Sequence, residues 1–312
     1  MTTPEPQPPA TPVIGVDVGG TKVLAAVVSR DGSLGAQTER PTDVSSEATF
    51  LAQLDEMVEE LRAREPGAAA IGFGLPSRID QLHGRAVASV NIPLQHADFR
   101  DRMRERHELP VGIDNDANAA AIAEWQAGAA QGADHVVMLT LGTGVGGGLI
   151  LGGKPYRGAT GSGAELGHVV VELDGRPCAC GGRGHLESYA TGRAAGEQAR
   201  DRFGDGIDER ELVRLAQAGN EEAVALLARI GRYVGAAMAT YVNALEPELI
   251  VIGGGFGEAA FDFLRASARE VIERDALEPG RDTVRIVLAQ LGNDAGVIGA
   301  GMIGFEALHT ES

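Results

Sequence analysis

The sequence predicts an α/β protein of two domains, and three observations carry that expectation. Strand-forming runs alternate with helical ones after an opening hairpin. A strand, a glycine turn and a second strand occur in that order twice, over residues 13–28 and 136–151, as a weak internal duplication. The 312 residues, 44% of them hydrophobic, are enough to fill two cores.

Taken in order, residues 13–18 and 23–29 read as strands joined by Gly19-Gly20-Thr21-Lys22, and Asp31-Gly32 signals another turn and strand. Over 46–64, Phe50, Leu51, Leu54, Met57, Val58 and Leu61 recur at helical spacing with acids opposite, which gives a helix that covers the sheet. Ala69, Ile71 and Phe73 mark a short strand that ends at Gly74-Leu75-Pro76-Ser77. Residues 111–114 form another, which runs into a helix over 117–126. The second half repeats the plan: a strand and glycine turn over 136–151, a helical region over 188–245, a strand over 249–252, and Gly253-Gly254-Gly255 opening a helix.

Composition removes several function classes. A formal net charge of −17 repels nucleic-acid phosphates, and 4% aromatic residues leave few stacking platforms for single strands. No apolar run approaches the roughly 20 residues of a membrane helix. Residues 1–12, rich in Pro and Thr, lack the basic and apolar regions of a signal peptide and read as a disordered lead-in. The two cysteines, Cys178 and Cys180, are spaced poorly for a disulfide and well for a shared metal, which suits a reducing, cytoplasmic setting.

The residues that carry chemistry fall in four places. The turns Gly19-Gly20-Thr21-Lys22 and Gly142-Thr143-Gly144 offer backbone N–H groups to phosphates, and only glycine lets a backbone come that close. Asp17, just before the first turn, is placed to hold a hydrated Mg²⁺ or to belong to an ordinary turn; the GxxxxGK[ST] spacing of a Walker motif is absent. Asn115-Asp116 stands at a strand end. On spacing alone Asp116 or Asn118 caps the following helix, while a phosphoryl-transfer enzyme would use Asp116 beside the acceptor hydroxyl. His168, Cys178, Cys180 and His185 form a knot that fits a structural, tetrahedral Zn²⁺, with Glu165 and Glu187 flanking it as acceptors for polyol hydroxyls. Gly254 and Gly255, after a strand, suit close approach of a nucleotide's base or ribose, or a bare strand–helix turn.

These motifs, in this order, resemble the ROK sugar kinases (repressors, open reading frames and kinases), a family in the superfamily of hexokinases, actin and heat-shock chaperone ATPases. Asp17-Val18-Gly19-Gly20-Thr21-Lys22 is similar to the family's first phosphate motif, Leu141-Gly142-Thr143-Gly144-Val145-Gly146-Gly147-Gly148 to the second, and Gly253-Gly254-Gly255 to the adenosine motif. Asn115-Asp116-Ala117-Asn118-Ala119 resembles the catalytic segment. The resemblance makes Asp116 the general base, and Asn91, Asn115, Glu165, His168 and Glu187 the sugar contacts. It implies two ribonuclease-H-like α/β domains around a central cleft: a small one over 13–119 with the C-terminal helix at about 295–312, and a large one over 120–294 holding the zinc knot. It further implies ATP with Mg²⁺ as phosphoryl donor, glucose as acceptor in a glucokinase-like reaction, and a homodimer. N-acetylmannosamine, N-acetylglucosamine or fructose as acceptor, and polyphosphate as donor, stay open.

Two positions depart from the family pattern. His185 stands where the knot usually has a third cysteine, so the expected ligands are His168, Cys178, Cys180 and His185. Ser77 stands where glycine is common, either to contact the sugar or to fill a turn. Repressors of the family carry a helix-turn-helix ahead of the first phosphate motif, and the twelve residues before Val13 are too few for one. A catalytically silent sugar sensor is disfavoured by Asp17, Asn115 and Asp116 occurring together.

Overall fold

The computed structural model describes residues 11–89 and 91–310. The expected lead-in lies outside them except for Thr11 and Pro12, as do the last two residues of the expected C-terminal helix. The chain forms two compact α/β units, each with a mixed sheet and surrounding helices.

The first unit is built from the chain up to Ala127, from Arg157–Gly163 and from the chain beyond Gly292. Its strands are β1 (Val13–Val18), β2 (Lys22–Val28), β3 (Leu34–Pro41) and β4 (Ile71–Leu75). A small separate sheet holds β5 (Arg78–Asp80), β6 (Arg85–Ala88) and β7 (Gln95–Ala97), and β8 (Val111–Asn115) completes the main sheet. The main order is β3-β2-β1-β4-β8, antiparallel through β1 and parallel from β1 to β8. Helix α1 (Glu47–Arg64) starts where Ser46 accepts the Thr49 N–H, with Glu47 in its first turn and Arg62 and Arg64 in its last. Its apolar stripe, including Phe50, Leu54, Met57 and Leu61, is buried in one cluster with Ile14, Val16, Ile71 and Phe73 of the sheet. Helix α2 (Phe99–His107) precedes β8, and α3 (Asp116–Ala127) follows it without a break. The unit therefore extends to Ala127, past the boundary expected after Ala119, because α3 is one continuous helix.

The second unit holds β9 (Val136–Leu141) and β10 (Val145–Ile150), then α4 (Glu187–Ala190), α5 (Gly192–Phe203), α6 (Glu209–Gln217) and α7 (Glu221–Leu245). It continues through β11 (Leu249–Gly253), α8 (Gly255–Ala259), α9 (Phe261–Asp275), α10 (Gly280–Thr283) and β12 (Arg285–Leu288). Its sheet runs β10-β9-β11-β12, an antiparallel hairpin followed by parallel strands, which repeats the β2-β1-β4-β8 portion of the first sheet. The helical region read as 188–245 is four helices. New starts are capped by Thr191, Asp208 and Asn220, and Gly204 and Gly219 take positive φ at the breaks.

The last helix, α11 (Ala295–Thr310), belongs to the first unit and lies directly on its sheet. Gly15, Gly72 and Gly112 stand side by side on β1, β4 and β8. A Cβ at these positions would come within 2.3 Å of Val297 O, 1.8 Å of Ala300 O and 2.5 Å of Ile303 O. Helix and strands meet backbone to backbone across this row. On its other side α11 meets α3 equally closely, since a Cβ at Gly299 would lie 1.8 Å from Ala119 O.

Candidate active site

The parallel register sets Asp17, Gly74 and Asp114 in one row near the ends of β1, β4 and β8. The missing side chain of Gly74 leaves room between two carboxylate-bearing positions: a Cβ there would lie 3.8 Å from both Asp17 Oδ1 and Asp116 Cα. Asp17 is also pressed against the first turn of α11, its Oδ2 within 2.4 Å of a Cβ at Gly296. Burial pushes the Asp17 carboxyl from its ordinary 3.8 up to about 7; the negative charge of Asp116 adds to this and Lys22 opposes it.

That shift predicts a pH dependence. Between about pH 4 and 7 the folded chain retains a proton on Asp17 that the unfolded chain has lost, so this group's contribution to stability falls as pH rises through that window. Denaturant titrations of nucleotide-free protein should show that slope, and Asp17→Asn should remove it; an unchanged slope in the variant would assign it to other groups.

The first glycine turn is closed by Gly19 N–H donating to Lys22 O at 2.9 Å, and Thr42 Oγ1 donates to Gly19 O at 2.7 Å. Gly20, Thr21 and Lys22 are exposed, and Asn91 is beside them, its Cβ 3.2 Å from where a Gly20 Cβ would be. Lys22 Nζ is 2.7 Å from Glu39, whose hydrogen bond raises the ammonium pKa.

Asn115 takes the capping role that spacing left to Asp116 or Asn118. Its Oδ1 accepts the N–H groups of Ala117 at 2.9 Å and Asn118 at 3.3 Å, and its Nδ2 donates to Ser77 O at 3.4 Å. Asp116 is the first residue of α3, half-buried, with Oδ1 accepting the Ala117 N–H at 2.9 Å. Ser77 serves the turn: its buried hydroxyl donates to Ala88 O at 3.0 Å.

Sequence reasoning passed over Asp114. It is wholly buried, and its carboxylate accepts Asn115 N–H at 2.8 Å, Asn118 Nδ2 at 3.0 Å and Arg157 Nε at 2.5 Å. Arg157 Nη2 is in turn 2.7 Å from Glu306 on α11. The only local signal was an acid at the end of an apolar strand, Val111-Gly112-Ile113-Asp114.

In the second unit, the other glycine turn closes with Gly142 N–H donating to Gly144 O at 2.9 Å. Gly142 O accepts Gly192 N–H, also at 2.9 Å, which ties the turn to the Thr191-capped start of α5. Glu187 Oε2 accepts Val145 N–H at 3.1 Å. Gly254, at φ +83°, packs against the end of β9, where a Cβ would meet Leu141 O at 2.6 Å. Residues 142–144 and Gly253-Gly254-Gly255 thus lie at the C-terminal ends of the adjacent parallel strands β9 and β11, a place where α/β folds bind ligands. At Gly142 and Gly255 a Cβ would meet nothing within 4 Å, so packing does not require glycine there. Thr143 is exposed on the same turn.

The ligating atoms of His168, Cys178, Cys180 and His185 all lie within 4.8 Å of one another. Cys178 Sγ is 3.8 Å from His168 Nδ1, and Cys180 Sγ is 3.2 Å from His185 Nδ1. Two thiols and two imidazoles so grouped fit a tetrahedral divalent ion of zinc type. Glycines shape the knot: a Cβ at Gly182 would be 2.4 Å from His185 Cε1, and one at Gly184, where φ is +70°, would be 1.7 Å from Glu172 O. His168 turns its other nitrogen, Nε2, toward Glu165 at 3.9 Å, and Cys178 Sγ lies 3.7 Å from Glu187 Oε1. The two flanking carboxylates are therefore beside the knot, and Glu187 joins it to the glycine turn. Tyr241 hydroxyl donates to Leu166 O at 2.6 Å and fixes the 3₁₀ turn that carries His168.

Comparison with known proteins gives concordant matches. The sequence profile of the ROK family matches residues 13–306. A solved ROK hexokinase from Thermus thermophilus is 36% identical, covering 96% of this chain and 99% of its own, with a TM-score of 0.84. A ROK family glucokinase from Streptomyces griseus, solved with glucose and AMPPNP, is 33% identical, covering 95% and 99%, with a TM-score of 0.80. An N-acetyl-D-glucosamine kinase of Salmonella newport is 31% identical, covering 93% of this chain and 98% of its own.

Proposed function

From the premise that the chain belongs to the ROK family and is an ATP-dependent sugar kinase, we propose that it phosphorylates the 6-hydroxyl of glucose. The observation that carries the catalytic part is Asp116, half-buried at the start of α3 and set across Gly74 from Asp17. In this reading each of the two domains is ribonuclease-H-like. Asp17, Gly19, Gly20, Thr21 and Lys22 meet the phosphates of ATP from one domain. Gly142, Thr143 and Gly144 meet them from the other, with Gly254 and Gly255 against the adenosine. Asp17 would hold Mg²⁺, whose charge would offset that of the phosphates.

Asn91, Asn115, Glu165, His168 and Glu187 hold the sugar. Asn115 Oδ1 is committed to the helix cap, which leaves its Nδ2 to donate to a sugar hydroxyl. Asp116 accepts the proton of the 6-hydroxyl as that oxygen bonds to the γ-phosphorus and the bond to the β-phosphate oxygen breaks, releasing ADP. A weak base suffices, because the transition state is loose and the proton leaves late. Exclusion of water from the occupied site keeps it from taking the phosphoryl group.

Glucose is preferred over amino sugars in this proposal because the hexokinase and glucokinase relatives are the more similar, at 36% and 33% against 31%. Comparing kcat/KM for glucose, fructose, N-acetylglucosamine and N-acetylmannosamine by coupled ADP release tests this. A higher value for either amino sugar would reassign the acceptor.

A structural Zn²⁺ in the four-ligand knot would orient His168 so that its free nitrogen faces Glu165 and the sugar. Purified protein should then contain about one zinc per chain, as expected of a closed structural site. Stripping the metal with a chelator should lower the thermal midpoint and raise KM for the sugar more than for ATP. Well under one equivalent in protein never exposed to chelator would contradict the four-ligand site. We also propose a cytoplasmic homodimer, which mass measurement in solution checks.

A further inference from the structure

We propose that Arg157 is a positioning residue for phosphoryl transfer, acting through Asp114 to hold the turn that presents Asn115 and Asp116. The proposal rests on the reading of Asp116 as the base. Asp114 is the group that makes it necessary. A carboxylate with no exposed surface needs more than neutral donors to stay where it is, and the third of its partners is the guanidinium. The other two are Asn115 N–H and Asn118 Nδ2, one on each side of Asp116 in sequence. Asp114 therefore grips the start of α3 before and after the residue that takes the proton.

Arg157 is itself held at both ends. Its Nε reaches Asp114 and its Nη2 reaches Glu306 on α11, a planar fork joining two carboxylates that one ammonium could not span in the same way. Its segment, Arg157–Gly163, is fastened to the same unit: Thr160 O accepts Gln81 N–H at 2.9 Å and Ser162 hydroxyl donates to Ile79 O at 3.1 Å. A second partly buried ion network in this unit, Asp55 with Arg102 and His107, touches none of the proposed site residues and serves as a control for a merely structural role.

The test compares purified R157A, D114N, D55N and D116A by kcat, KM for glucose and for MgATP, and thermal midpoint, at a temperature well below every midpoint. R157A should lose kcat by on the order of 10- to 100-fold, the scale of a misplaced catalytic group, with KM for MgATP held within about threefold. Added guanidinium should restore much of that loss in R157A and none in D116A, while D55N loses thermal midpoint at unchanged kcat. The proposal is overturned if R157A turns over within about twofold of the parent, or if guanidinium fails to lift its loss. Where R157A does not fold, D114N decides by the same twofold criterion. If D116A is inactive and R157A fully active, this proposal alone fails; if D116A is active, the base assignment fails and takes the proposal with it.

Discussion

Asp116→Ala should lower kcat by on the order of 10²- to 10⁴-fold, the usual contribution of a positioned general base. KM for MgATP should change little, because the phosphates are assigned to the glycine turns. The fold should survive, since the helix start is capped by Asn115, whose Oδ1 accepts the N–H groups of Ala117 and Asn118. Asn115→Ala offers the contrast. It removes the cap, which costs about 1 kcal/mol of stability, together with a proposed sugar contact, so both the thermal midpoint and the sugar KM should suffer. The Asp17 carboxyl supplies an internal check, because part of its upward shift comes from the Asp116 charge. In Asp116→Ala its titration should move toward the ordinary carboxylate range. Near-normal kcat in Asp116→Ala would mean that another group takes the proton.

Gly72→Ala should be among the most destabilising single changes in the chain, by at least about 3 kcal/mol, the upper end of what overpacking usually costs. A methyl there would lie 1.8 Å from Ala300 O and 2.5 Å from Gly304 N, both backbone atoms, so no side chain can move aside. Relief requires α11 to lift from the sheet. That helix also touches Asp17 through Gly296 and α3 through Gly299, so the change should lower activity as well as stability. Gly142→Ala provides the opposite case. A Cβ there meets nothing within 4 Å, and stability should stay within about 0.5 kcal/mol while KM for MgATP rises. Denaturant midpoints of both variants, read beside their kinetics, check the pair. Equal stability losses would contradict the assignment of one glycine to packing and the other to ligand approach.

The contrast between those two glycines shows where the sequence was readable. A glycine between strand-forming runs signals a turn, and the turns at Gly19-Gly20 and Gly142–Gly144 are legible that way. A glycine inside a strand signals close approach without saying to what. Gly15, Gly72 and Gly112 became a row only once β1, β4 and β8 were in register, and the partner lay nearly two hundred residues beyond the last of them, in α11. Helix α1 was legible because its apolar spacing is local and its cap adjoins it. The Cys/His knot was legible for the same reason: its four side chains fall within one short stretch of sequence. Asp114, Arg157 and Glu306 were not, because the three are far apart in sequence and each alone is an ordinary charged residue. The capping role fell to Asn115 through a backbone detail, the start of α3 at Asp116, that residue types alone do not fix. What spacing could not supply in each case was a long-range partner or a one-residue helix boundary.

The central claim, phosphoryl transfer from ATP to the 6-hydroxyl of glucose, is tested most directly by ³¹P NMR of the protein incubated with glucose and MgATP. The expected spectrum shows ATP converted to ADP with one new sugar monophosphate resonance, that of glucose 6-phosphate, and no transfer when 6-deoxyglucose replaces glucose. ATP consumption that yields only inorganic phosphate, or a sugar phosphate formed equally well from 6-deoxyglucose, would contradict it.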